Sequence, residues 1–390
     1  MNKPQLKIAV VTGSRAEYGL FKPLLDIVQK DRSLKLQLLV TGMHLSPEFG
    51  LTYQQIENDG YLIDEKIEML LSSDTDSAIV KSTALGMIGI SDALNRLCPD
   101  WVVVLGDRFE TFAAAFAAYQ LKIPVAHLHG GELTEGATDD AMRHAITKMA
   151  YLHYTSTEVY RKRVIQLGES PERVINVGAI GLESIRKLKL LSRGQLEKQL
   201  GMKFGKLNFL VTYHPVTLER QTAAHQVKEL LKALNFFKEA KIVITMPNAD
   251  AEGRAIMRLM EQYANEDPER VKLFTSLGQL RYLSLLKQVQ LVIGNSSSGI
   301  IEAPEMHIPT IDIGSRQQGR IKSKTIVSSN TDSRSIIQAI QQSLSVKFNR
   351  QCKTASNPYS KPGTAAAIIH NIRKIGKLNS VKKKFYDLDV

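Results

Sequence analysis

The feature that most restricts what this chain can fold into is a strand–helix alternation that runs through it twice. Short runs rich in Val and Ile read as strands: Lys7–Thr12, Lys35–Val40, Trp101–Leu105, Val125–Leu128, Arg173–Val177, Asn208–Tyr213, Lys241–Thr245, Leu291–Ile293 and Thr310–Ile313. They show little in/out alternation, as parallel strands covered on both faces do. Helix-period segments lie between them, at Leu20–Lys30, Thr111–Leu121, Asp140–Ala150, Thr157–Leu167, His225–Glu239, Ala251–Tyr263 and Gln279–Lys287. The fold class is therefore α/β. A first set of strands closes near Gly178, and a polar, Lys- and Leu-rich stretch (Arg186–Gly205) precedes a second set that begins at Asn208. Two Rossmann-like doubly wound domains, 1–180 and 181–370, are expected to face one another across a cleft, with a C-terminal helix and basic tail, 371–390, free to cross back to the first.

The length of 390 residues suffices for two such cores, and 43% hydrophobic with 23% charged residues excludes a wholly disordered chain. Net charge is +12, and the stretch from Gln341 to Val390, with ten Lys and Arg against two Asp, supplies +8 of it. No aromatic interleaving or recognition motif accompanies those cations, so no nucleic acid partner is expected and the tail reads as a solvated, anion-attracting face. Two cysteines, Cys98 and Cys352, exclude a disulfide framework and any CxxC site. The N-terminus lacks a signal peptide's apolar core, and no apolar run reaches the roughly 18 residues of a membrane span. A cytoplasmic protein with no membrane partner is expected.

In doubly wound sheets ligands bind beyond the carboxyl ends of the strands, so the residues that follow each strand are decisive. They are Gly13-Ser-Arg-Ala-Glu-Tyr-Gly19, Gly106-Asp-Arg108 and His129-Gly-Gly-Glu132, then His214-Pro215, Pro247-Asn-Ala-Asp250 and Gly294-Asn-Ser-Ser-Ser-Gly299. Any one is ordinary turn chemistry; six together favour a site. Gly294–Gly299 precedes an expected helix, Ser298–Glu305, and admits serine N-capping as readily as anion binding. Arg15, Arg108, His214 and Arg316 at other strand ends tilt it toward phosphate. Neither GxGxxG nor GxxxxGK[ST] is present, which disfavours a dinucleotide enzyme or P-loop hydrolase. Glu302 could accept from a ribose diol or could simply suit a helix N-terminal dipole.

Asp107, Glu132, Asp139 and Asp140 form a carboxylate set in the first domain, where an acid and a base can be held apart in pKa. Helix capping and pairing with Arg108 are the plainer readings of all but Glu132, which follows two glycines. His127 and His129 would share a strand face with Glu132 nearby, but no third ligand stands at metal spacing, so no metal is expected. Ser14, Ser296 and Ser297 lack a GxSxG elbow, which disfavours a serine hydrolase.

Taken in order, these segments resemble the hydrolysing UDP-N-acetylglucosamine 2-epimerase family of sialic- and legionaminic-acid biosynthesis. Thr41-Gly-Met-His44, Asp139-Asp-Ala-Met-Arg-His144, His214-Pro-Val-Thr217 and Gly314-Ser-Arg-Gln317 join the pieces above, and the resemblance runs from Lys7 to about Arg320. It implies the GT-B-like arrangement of two domains, no cofactor, a UDP-sugar substrate and a homo-oligomer, dimer or tetramer. The implied reaction is anti elimination of UDP from UDP-GlcNAc to a 2-acetamidoglucal, then hydration to N-acetylmannosamine. By resemblance Asp107, Glu132 and Asp139 or Asp140 are the acid/base set, His214 lies at the diphosphate with Arg15, Arg108, Ser296 and Ser297 nearby, and Ala16 is among the substrate-binding residues. Glu302 is implied at the ribose, Asn248, Asp250 and Arg316 in the second-domain wall, and His44 on the sugar side. The stretch Glu68–Thr75 looks more like the branch acting on UDP-N,N'-diacetylbacillosamine, which is the alternative substrate. A GT-B glycosyltransferase and a non-enzymatic sugar-nucleotide sensor are the rival classes.

Overall fold

Uniformly apolar strands need cover on both faces, and in this protein both sheets obtain it. The computed structural model describes residues 5–219, 221–247, 250 and 252–388, and the chain divides into two compact units. The first holds Met1–Glu132, Asp139–Ser184 and Tyr359–Val390; the second holds Leu133–Thr138 and Ile185–Pro358.

The first unit carries strands β1 (Leu6–Thr12), β2 (Leu34–Thr41), β3 (Glu65–Ile67), β4 (Trp101–Leu105), β5 (Val125–Leu128), β6 (Leu152–Thr155) and β7 (Val174–Asn176). They form one sheet of order β3-β2-β1-β4-β5-β6-β7, every pair parallel. Successive residues feed opposite cores. Ile8, Val10, Trp101 and Val103 join one cluster with Phe21, Leu24 and Leu25 of the helix Arg15–Lys30. Ala9, Val11, Val102 and Val104 join another with Ile90 and Leu94 of the helix Asp76–Leu97. The small side chains Ala113–Ala115, Ala117 and Ala118 let the helix Phe109–Gln120 lie close against that second face.

The second unit repeats the plan with β8 (Asn208–Thr212), β9 (Lys241–Thr245), β10 (Val271–Phe274), β11 (Leu291–Gly294), β12 (Thr310–Ile313) and β13 (Ile326–Ser329). Their order is β10-β9-β8-β11-β12-β13, again all parallel. In each unit the order reverses beside its first strand, between β1 and β4 and between β8 and β11. Those are the topological switch points where such sheets open a crevice at their carboxyl edge.

Four strands escape the sequence pattern. Three (β3, β10, β13) sit at sheet edges with half-exposed residues, and β6 spends two of its four positions on His153 and Thr155 rather than Val or Ile. The helix expected at Ser298–Glu305 is instead Ser297–Ile301 followed by a 3-10 turn, Ala303–Met306, because Pro304 brings no N–H to continue it.

The return to the first unit comes at Tyr359, earlier than the expected 371. Ala365, Ile368, Ile369 and Ile372 form the apolar stripe of the helix Thr364–Ile375 and fill the core beneath the helix Arg15–Lys30. The basic tail after it is docked rather than simply solvated. Trp101 Nε1 donates to Gly376 O at 2.8 Å, Lys377 pairs with Asp100 at 3.0 Å, and the Tyr386 amide donates to Gly168 O at 2.9 Å. Lys383 Nζ reaches Glu169 Oε2 at 2.6 Å and Ala150 O at 2.7 Å. Burial pushes the Lys383 ammonium down to about 8. Burial alone would raise Glu169, but hydrogen bonds from His153, Lys148 and Lys383 hold it at about 2. Among the described residues no helix is long and apolar enough to cross a membrane.

Because Lys383 is the tail's charged anchor, Lys383→Met should lower stability by about 1–3 kcal/mol in urea denaturation. The exposed neighbour substitution Lys382→Met should shift it by no more than about 0.5 kcal/mol; equal effects from the two would show that the tail is not anchored there.

Candidate functional site

In the first unit the chain leaves β1 through Gly13 into Ser14, the N-cap of the helix Arg15–Lys30, whose Oγ accepts from Glu17 N at 3.4 Å. Glu17 turns its carboxylate back under that loop. It accepts from Gly13 N at 2.6 Å and from the hydroxyls of Thr12 and Thr111 at 3.4 Å. Burial raises its pKa to about 7 against the Gly13 hydrogen bond, with nearby Glu110 raising and Arg108 lowering it. A side chain at residue 13 would collide with Glu110, its Cβ falling 2.9 Å from that residue's own, so glycine is required there.

Arg15 is half-buried and Ala16 exposed, both in the helix's first turn. Arg108, which precedes the helix Phe109–Gln120, pairs with the buried Glu110, Nε to Oε2 at 3.2 Å. His44 has no exposed surface, and its two ring nitrogens lie 3.1 Å from Thr12 Oγ1 and 2.8 Å from Thr52 Oγ1. Burial pushes it down to about 3, so it is a neutral ring that props the β1 loop from beneath.

Two of the carboxylates and the Glu132 carbonyl gather around one buried guanidinium. Arg143, 1% exposed, sits in the helix Asp139–Met149, and its Nη1 donates to Glu132 O at 2.7 Å and to Asp140 Oδ1 at 3.2 Å. Its Nη2 donates to Asp107 Oδ2. Asp107 and Asp140 keep 19% and 24% of their side chains exposed, so both have a solvent-facing side. Asp139 begins the same helix. Glu132 is buried, and its Oε1 receives Ser156 Oγ at 2.6 Å and His129 Nδ1 at 3.0 Å. His127 lies beneath the Asp107 turn, donating from Nε2 to Gly106 O at 2.7 Å, and burial keeps it neutral with a pKa of about 3. Among the described residues no group of His, Cys, Asp and Glu is arranged to hold a metal ion.

In the second unit the ends of three neighbouring strands meet at Asn295. Its side chain accepts from His214 N at 2.7 Å and donates to His214 O at 2.8 Å, which fastens the β8 end to the β11 end. Its carbonyl accepts from Arg316 Nη1 at 3.0 Å and Gln317 Nε2 at 2.8 Å, which brings in the loop after β12. Gly294, at φ +140°, lies so close to β8 that a Cβ would fall 1.9 Å from Thr212 O. His214 Nδ1 is 3.8 Å from Asp250 Oδ2, an electrostatic pair rather than a hydrogen bond. Ser296 caps the helix Ser297–Ile301, its Oγ accepting from Ser298 N at 3.4 Å. Glu302 stands at that helix's C-terminal end, not near its N-terminus as expected. Asn248 lies outside the described residues.

The segment Leu133–Thr138, between Glu132 and Asp139, belongs to the second unit. Glu135 N donates to Gln318 O at 3.2 Å, Leu218 N to Gly136 O at 3.3 Å, and Thr138 N to Thr217 Oγ1 at 3.0 Å. Sequence reasoning missed Glu17, Arg143, Ser156 and Asn295. Three stood inside motifs that were read for other residues. Ser156 follows β6, which carried no strand signal.

The sequence profile described as UDP-N-acetylglucosamine 2-epimerase matches residues 26–373. The chain is 42% identical to the GDP/UDP-N,N'-diacetylbacillosamine 2-epimerase (hydrolyzing) of Campylobacter jejuni, over 98% of this chain and 99% of the relative. It is 38% identical to polysialic acid biosynthesis protein P7 of Escherichia coli, over 98% and 97%. Among solved structures, UDP-GlcNAc 2-epimerase from Neisseria meningitidis bound to UDP-GlcNAc superposes with a TM-score of 0.80 at 19% identity, over 95% of this chain and 100% of that one.

Glu17 makes the β1 loop pH-sensitive in a definite direction. Its folded pKa of about 7 lies above the ordinary 4.5, so the folded state binds the extra proton and stability falls as pH rises through that window. Melting temperatures should therefore drop between these two pH values more in the wild type than in Glu17→Gln; parallel profiles would remove Glu17 as the cause.

Proposed function

Because the chain belongs to the UDP-N-acetylglucosamine 2-epimerase family, we propose that it hydrolyses a UDP-2-acetamido sugar with inversion at C2. The observation that carries the reading is the pair of carboxylates, Asp107 and Asp140, held on Arg143 at the carboxyl edge of the first sheet, with Glu132 tied to the same guanidinium through its backbone carbonyl. With UDP-GlcNAc the C2 proton passes to a carboxylate as the C1–O bond to UDP breaks, leaving 2-acetamidoglucal. Water then adds, hydroxyl to C1 and a proton to the opposite face of C2, and N-acetylmannosamine is released. C2–H is weakly acidic, so the step needs a placed base and stabilisation of the charge developing at C1.

Asp107, Glu132 and Asp139 or Asp140 are the acid/base set in this reading. His214, with Arg15, Arg108, Ser296 and Ser297, takes the departing diphosphate. Glu302 takes the ribose, and Asp250 and Arg316 complete the second unit's contribution. Guanidinium and hydroxyl donors at the strand ends suit phosphate oxygens, and Asn295 holds His214 and Arg316 in fixed relation. His44 supports the loop that carries Arg15. The enzyme works in the cytoplasm as a homo-oligomer and serves nonulosonic acid synthesis.

A second substrate has its own support. The relative at 42% identity is named for N,N'-diacetylbacillosamine nucleotides, a 4-acetamido, 6-deoxy sugar. Apolar pockets separate such neighbours by only about 1–3 kcal/mol, so both nucleotides belong in the test.

Incubated with UDP-GlcNAc and UDP-N,N'-diacetylbacillosamine side by side in heavy water, the enzyme should release UDP and a free manno-configured sugar with deuterium at C2, seen by proton NMR. The nucleotide turned over faster identifies the substrate. Asp107→Asn, Glu132→Gln and Asp139→Asn should each slow release by about a hundredfold or more. Donor left intact until an acceptor is added would assign a glycosyltransferase instead, and donor bound but never consumed would assign a sensor.

A further inference from the structure

His129 sits in backbone geometry that its own side chain does not favour. Its φ is +64°, the left-handed region that glycine enters without cost and a residue with a Cβ does not. The next two residues are glycines. Gly131, at φ +78°, packs so closely that a Cβ would fall 2.5 Å from Tyr160 O. The turn is pinned from outside as well: His129 N donates to Tyr154 O at 2.9 Å, and Arg163 Nη1 donates to Gly131 O at 2.6 Å. A glycine at residue 129 would satisfy all of this, so the backbone alone gives no reason for an imidazole there.

The side chain gives one. Ile180 N donates to His129 Nε2 at 3.4 Å. An amide N–H can donate only to a ring nitrogen that carries no proton, so in the neutral ring the proton is on Nδ1. Nδ1 lies 3.0 Å from Glu132 Oε1, and the same oxygen accepts from Ser156 Oγ at 2.6 Å. Both donors stand on rigid elements, the end of β5 and the residue just after β6. Two donors fixed on one carboxylate oxygen leave the Glu132 side chain a single orientation.

We propose that His129 is a positioning residue of the reaction, held in its Nδ1–H form by the Ile180 amide so that it and Ser156 fix the Glu132 carboxylate where it exchanges the sugar's C2 proton. The inference rests on the reading above that makes Glu132 one of the acid/base set. It adds the group that acts through Glu132 and the tautomer in which it acts. Proton transfer is sensitive to sub-ångström placement of the base, so the contribution belongs to turnover and not to nucleotide binding.

The test uses His129→Gly, which relieves the backbone and removes the imidazole, and His129→Asn, which tolerates the left-handed conformation and carries an N–H on the branch occupied by Nδ1. His129→Gly should stay folded yet lose about ten- to hundredfold in kcat with KM little changed, and His129→Asn should recover most of that loss. Combined with Glu132→Gln, His129→Gly should add nothing further. Nitrogen NMR of histidine-labelled enzyme should show a neutral Nδ1–H ring that disappears in His129→Asn. Wild-type kcat in a folded His129→Gly, no rescue by asparagine, or a signal of the Nε2–H form would each overturn the proposal. Wild-type turnover by Glu132→Gln would instead overturn the reading beneath it, and the two failures are distinct.

Discussion

A charged guanidinium that is almost wholly removed from water must be met by anions and carbonyls, and Arg143 imposes that requirement on everything around it. Leaving such a cation without partners would be far more costly than any local strain in the loops that supply them. Asp107 arrives from the end of β4, Asp140 from one turn earlier on the same helix, and the Glu132 carbonyl from the end of β5. Three stretches of sequence are thereby held to one point. Asp107 and Asp140 keep their outer faces toward solvent while their inner faces are tied, an arrangement suited to a base that must stay in place while its proton comes and goes.

The parallel sheets explain why the chemistry collects where it does. With both faces covered by helices, only the strand ends remain open to a ligand. Hydrogen-bonding side chains at those ends are then free to recruit one another. Glu17 braces the β1 loop from below, His44 props it from the β2 side, and in the other unit Asn295 ties three loops through one side chain and one carbonyl. None of these residues need touch a substrate to matter; each fixes a neighbour that does in the proposed reaction.

The excursion at Leu133–Thr138 is hydrogen-bonded into the second unit. Its hydrogen bonds run to the loops after β8 and β12, and its two ends carry Glu132 and Asp139. The C-terminal tail has the converse effect: by docking on the first unit through Lys377, Lys383 and the Tyr386 amide, it braces the side of that sheet where β6 and Gly168 lie.

Sequence by itself determined the α/β class, the twofold repetition and the strand-end motifs. Period and composition are local properties, and parallel strands such as Trp101–Leu105 announce their double burial in every residue. The same locality accounts for what escaped. Strands of three or four residues at sheet edges, and β6 with its His153 and Thr155, hold their places through neighbours far away in the chain. Arg143 and Asn295 look like ordinary polar residues until tertiary packing buries them and makes their hydrogen bonds obligatory. Sequence records the chemistry of His44 and not its depth, and only the fold set its ring, out of reach of water, between Thr12 and Thr52. The tail's charge was plain in the sequence; that Lys383 would turn inward to Glu169 depended on a carboxylate more than 200 residues away, which only the folded chain brings near.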